Sequence, residues 1–73
     1  MAEKTDWELK AANLLKAELK RKGVTYAGLV EKLAAIGVVE AEANVRNKLS
    51  RGKFTAAWLL QCLNAIEVTE LRL

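Results

Sequence analysis

The sequence contains no histidine, no proline and a single cysteine, Cys62. One cysteine allows no disulfide within the chain. Without histidine or a second thiol, a zinc finger is excluded and a tetrahedral nitrogen–sulfur metal site is not expected. The absence of proline leaves every helical pattern uninterrupted. No run approaches the ~20 apolar residues of a membrane span, and the polar start Ala2-Glu3-Lys4-Thr5-Asp6 holds no apolar signal core. These absences lead us to expect a cytoplasmic protein with no metal, no cofactor and no membrane partner. Catalysis is not expected either. There is no histidine for general-base work, and Ser50-Arg51-Gly52-Lys53 lacks the spacing of a phosphate-binding loop. No small-molecule substrate is evident.

What is present suits one domain covering residues 1–73. Apolar residues make up 52% and charged residues 29% of the chain, a balance that excludes disorder of the whole. Twelve basic residues against nine acidic ones give a net charge of +3, and their distribution matters more than the total. Arg46 to Lys53 holds four positive charges and no acid; Lys16 to Lys22 holds four against Glu18. The ordinary reading of either segment is a solvated helix face. If the two converge on one surface, polyanion binding gains; if they lie apart, it loses.

Caps and apolar periodicity predict four helices, near residues 6–22, 25–36, 40–51 and 55–66. Thr5 with Glu8 fits a capping box, and Gly23 ends helix 1. Thr25 opens helix 2, with Val24 and Leu29 at staple spacing, and Gly37 closes it. Gly28, inside helix 2, costs about 1 kcal/mol against Ala, which suggests close approach of a neighbouring helix. Val38 and Val39 are β-branched, so a short strand competes with helix there. Helix 3 then carries acids at its start and bases at its end, as the helix dipole favours, and its apolar stripe is narrow: Ala41, Val45 and Leu49. Thr55 caps helix 4, with Phe54 and Leu59 as a staple. The tail from Glu67 to Leu73 reads equally as strand or last turn. The expected core is Leu14, Leu15, Leu19, Leu29, Leu33, Val45, Leu49, Leu59, Leu63 and Ile66. Cys62 falls in the apolar stripe of helix 4 as an inert buried thiol. No internal repeat, low-complexity tract or linker is read. The fold class expected is all-α, a compact bundle of four short helices with an extended turn between helices 2 and 3.

The segment Thr25-Tyr26-Ala27-Gly28-Leu29-Val30-Glu31-Lys32-Leu33, followed by Gly37-Val38, Val45, Leu49, Ser50-Arg51-Gly52-Lys53-Phe54-Thr55 and Ile66-Glu67-Val68, resembles the phage-repressor type of helix-turn-helix domain. The likeness covers roughly residues 14 to 68 and extends to a small bacterial group of such domains. Against that pattern Val30 replaces a usual small residue, Tyr26 replaces a phosphate-touching Gln, and the turn before helix 3 is longer. The resemblance implies that helix 2 braces across the DNA backbone, helix 3 enters the major groove, and the loop after it meets phosphate.

Two functions follow as expectations. The first is a DNA-binding transcriptional regulator using Tyr26, Asn44, Arg46, Asn47, Lys48, Ser50, Arg51 and Lys53. Arg, Asn and Lys are the residue types that read guanine and adenine edges. Arg51 and Lys53, with the Gly52 amide between them, suit phosphate. Four to six phosphate contacts would give a slope of log K against log salt of about −4 to −5. Glu40 and Glu42 would sit near the base edges, where an acid repels phosphate unless it accepts from a cytosine amino group. The alternative is a helical protein-interaction or dimerisation module without nucleic acid. Specific DNA affinity normally needs two copies, and helix 4 is apolar on more than one side. A homodimer is therefore expected through Trp58, Leu60, Val68, Leu71 and Leu73, with Trp7 beside them.

Overall fold

Four helices follow one another in the computed structural model, which describes residues 5–73: α1 (Asp6–Lys22), α2 (Tyr26–Ala35), α3 (Glu42–Arg51) and α4 (Ala56–Ala65). The described residues form no strand, so the fold is the all-α bundle expected from periodicity. Among them, no helix is long and apolar enough to cross a membrane. The starts of α1, α2 and α4 lie where their caps indicate. Thr5 and Glu8 form the reciprocal capping box; the Thr5 amide, donating to Glu8, is the chief cause of a Glu8 pKa below the usual carboxylate value. The Thr25 and Thr55 hydroxyls accept from the amides of Gly28 and Trp58.

The start of α3 differs from expectation. It begins at Glu42, two residues late, behind an Ala41 that supplies no side-chain cap. Val38 to Ala41 form neither strand nor helix. Gly28 also has a different reason from the one inferred: a Cβ there would meet Thr25 and Val24 of its own helix entrance at 3.3 and 3.4 Å, not a neighbouring helix.

The buried core is Ala12, Leu15, Leu19, Leu29, Leu33, Val45, Leu49, Trp58, Cys62, Leu63 and Ile66. Leu14 and Leu59, expected inside, are only half-buried. The core instead includes Ala12, Cys62 and the indole of Trp58, which is 5% exposed. Burial pushes the Cys62 thiol up to about 12, with Lys48 opposing the shift and Glu40 adding to it, so the thiol is protonated at neutral pH. The tail from Val68 to Leu73 is neither strand nor helix; Val68 and Leu71 fold back against the core.

Contrary to expectation, the chain holds an internal repeat, which relates α2 to α4. Each helix of the first pair, α1 and α2, packs against both helices of the second pair, α3 and α4. Thr25, Ala27, Leu29, Leu33, Ala35, Ile36 and Val38 recur as Thr55, Ala57, Leu59, Leu63, Ala65, Ile66 and Val68, each thirty positions later. The geometry recurs with them. Ile36 and Ile66 close their helices at φ −103° and −99°. The amides of Val38 and Val68 then donate to Leu33 and Leu63 at 2.9 and 2.8 Å, the longer-range bond of a Schellman ending. That ending requires a left-handed residue, and the repeat supplies glycine once: Gly37 at φ 83°, but Glu67 at φ 61°. A left-handed non-glycine residue costs roughly 1–2 kcal/mol. Glu67→Gly should therefore stabilise the domain by about 0.5–1 kcal/mol after the added chain entropy of glycine is subtracted. Urea denaturation checks it; a lower midpoint than wild type would refute it.

Candidate nucleic-acid interface

On α3 only Val45 and Leu49 are buried. At 3.6 residues per turn, the position opposite their midpoint is Asn47. Ala43, Asn44, Ser50 and Arg51 lie around it, and all five are exposed. The outward face thus consists of amide, hydroxyl, methyl and guanidinium groups, with no carboxylate. Arg46 and Lys48 flank it on either side, each tied to an acid.

Those ties separate the expected contacts into two groups. Arg46 pairs with Glu42 at 2.7 Å, one turn away, with both side chains about half exposed. Lys48 is held more firmly. Its ammonium lies 2.7 Å from Glu40 and 4.7 Å from the ring centroid of Trp58, where the π face attracts a cation. Glu40 also accepts from the Trp58 indole nitrogen at 2.9 Å, and the side chain of Glu40 is only 9% exposed. Burial raises the Glu40 pKa; hydrogen bonds from Lys48 and Asn44, the Lys48 charge and the indole bond outweigh it, and the net shift is downward. Glu40 therefore does not face a groove: it precedes α3 and turns inward, a clamp between α3 and α4. The sequence offered no signal for this, because its partners are eight and eighteen positions away.

The loop after α3 also departs from expectation. Gly52 is buried, and its amide donates to Lys48 O at 2.9 Å to close the helix, so it is not directed at phosphate. Gly52 instead lies against the backbone of Glu8. Lys53 stands 3.8 Å from the Glu8 carboxylate with half its side chain exposed. Tyr26 is half-buried at the start of α2, against the core.

Lys53 and Lys22, the last residues of the two basic segments, do not meet. Lys53 sits beside Glu8 near the start of α1, whereas Lys22, at its end, reaches the Glu67 carbonyl at 3.4 Å. Fourteen residues of helix, about 21 Å, separate these points. Arg21 is bound to Glu18.

The expected dimer surface changes as well. Trp58 is a core residue and not available to a partner, because its indole fills the space between α3 and α4 beside Phe54, with ring centroids 5.2 Å apart. Leu60 and Leu73 are exposed, and Val68 and Leu71 are half-buried. Among the described residues no group of acids and thiols is placed to hold a metal ion.

A family model described as "Domain of unknown function (DUF6471)" matches residues 7–71. The chain belongs to this family. No curated protein and no solved structure matches it. The span assigned to the DUF6471 domain takes in almost all of α1, the other three helices, and the tail as far as Leu71.

Proposed function

We propose that the protein binds double-stranded DNA through the outward face of α3 and acts as a small helix-turn-helix regulator of the phage-repressor type. The observation that carries this reading is the carboxylate-free face centred on Asn47. Asparagine pairs with adenine, arginine with guanine, and an alanine methyl suits the thymine methyl in the major groove. Asn47 and Arg51 are the base-reading pair, Ser50 supplements them, Asn44 can join only by giving up its bond to Glu40, and Lys53 and Arg46 are left for phosphate. Lys48 is not a contact in this reading, since freeing it would break its bonds to Glu40 and Trp58. With two or three phosphates engaged per copy, the slope of log K against log salt becomes about −2 to −3, shallower than the sequence suggested.

Fluorescence anisotropy against a randomised duplex pool, followed by selection of the tightest sites, tests the reading. Asn47→Ala should weaken the selected site by about 1–3 kcal/mol and leave random duplex nearly unaffected. Lys53→Ala should weaken both equally and flatten the salt slope by about 1. Absence of binding at low salt would favour the second reading, a helical protein-interaction module. That reading draws on the roughly 21 Å of helix between the positions of Lys53 and Lys22 and on the acids that already occupy Arg46 and Lys48.

A further inference from the structure

The side of the molecule formed by α1, α4 and the tail carries three adjoining hollows. One, of about 260 Å³, is walled by Trp7, Leu14, Leu59, Leu71 and Leu73, with Lys10 beside them. It shares Leu14 with a shallow groove along α1, and Leu59 and Leu71 with a third hollow below Leu60. The surface is therefore continuous. Trp7 is 78%, Leu60 64% and Leu73 86% exposed, so three large apolar side chains stand in water along this one side, as at an interaction surface.

We propose that this surface binds a second copy of the same chain, with Trp7 of each copy entering the hollow of the other. A two-fold interface must be self-complementary, the same patch supplying both the projection and its receptacle. Here a projecting indole stands at the rim of an apolar hollow large enough to receive one. The rim is balanced in charge: Asp6 and Lys10 border the groove on α1, and Glu70 and Arg72 lie together on the tail side. An acid of one copy can thus face a base of the other, which a strongly charged partner would not match. A stable two-fold interface buries about 1,200 Å² or more in total, so the groove on α1 and the hollow below Leu60 close together with the hollow beside Trp7. The outward face of α3 carries none of these residues, so the dimer stands independently of what α3 binds.

Sedimentation equilibrium of the full chain over about 1–100 μM, a range that brackets a micromolar dimer, provides the test. The wild type should be dimeric at the upper end. Trp7→Glu should raise the dissociation constant about 100-fold or more, as for a central aromatic anchor. Trp7 is exposed, so its replacement leaves the helical circular dichroism intact. Leu60→Asp, at a second exposed position, should weaken the dimer in the same direction. A wild type that remains monomeric at 100 μM overturns the proposal and leaves the patch to a different partner. A dimer indifferent to both substitutions also overturns it, by moving the interface elsewhere.

Discussion

Gly52→Ala is expected to destabilise the domain by about 3 kcal/mol, the largest effect of an added methyl at any of its glycines. Gly52 has φ 69°, and a Cβ placed on it would lie 2.5 Å from the carbonyl oxygen of Glu8 and 2.8 Å from its carbon. Two costs combine. The left-handed conformation is worth about 1–2 kcal/mol against alanine, and forcing a methyl into occupied space adds about 1–3 kcal/mol. The obstructing atoms are backbone of α1 and cannot rotate aside. Gly23 separates the two terms. It has the same φ, 69°, with nothing within 4 Å of its would-be Cβ, so Gly23→Ala should cost only the conformational term. Thermal melts of the two variants, followed by circular dichroism, should differ by roughly 10 °C, at 4–8 °C per kcal/mol for a domain of this size. Equal melting points would show that α1 and the α3–α4 loop do not meet as described.

The second large effect lies at Glu40. Glu40→Ala should cost about 2–3 kcal/mol, because it strands the buried indole N–H of Trp58 and leaves Lys48 half-buried without its counter-charge. Lys48 retains 34% exposure, so the loss of the ion pair itself is softened by water. Glu40→Gln keeps an acceptor for the indole and should cost about 1 kcal/mol. The pH dependence follows from the lowered pKa. A carboxylate that is more acidic folded than unfolded adds stability that is complete above its unfolded value, near 4.5, and vanishes as pH falls through the folded value. Between pH 5 and pH 3, wild-type stability should therefore fall more steeply than that of Glu40→Gln. Glu8 shifts in the same direction but is common to both proteins, so their difference reports Glu40. Parallel acid profiles would refute the clamp.

If Asn47 reads DNA, the same clamp becomes a positioning device for it. Glu40 ties the entrance of α3 to Trp58 on α4, and Gly52 seats the exit of α3 against α1. A helix with only two buried side chains is thereby held at both ends, which sets the angle of its outward face.

The helices themselves were legible because their causes are local. Thr5, Thr25 and Thr55 each bond to an amide three residues on, and Gly23, Gly37 and Gly52 each take positive φ at a helix end; such interactions lie within a few positions of sequence. The outward face of α3 was equally readable, since Val45 and Leu49 fix its opposite side through helical periodicity alone. What sequence pattern misjudged was the competition for space between helices. Leu14 and Leu59 have the same apolar character as Leu15 and Leu63, and only the position of the neighbouring helix decides which pair faces inward. The same reason removed Trp58 from the surface. Glu40, Lys48 and Trp58 meet across three separate segments, and Lys48, which looked like a contact for DNA, is spent on that meeting. Lys53 and Lys22, which close two basic segments of similar composition, stand at opposite ends of α1, because an α-helix advances 1.5 Å per residue and α1 is 17 residues long. Local bonding determined from the sequence where α1, α2 and α4 begin and where the helices end, but not where α3, which lacks a side-chain cap, begins. Which charges stay available and which apolar side chains stay exposed was decided by tertiary packing, because both depend on neighbours that are distant along the chain.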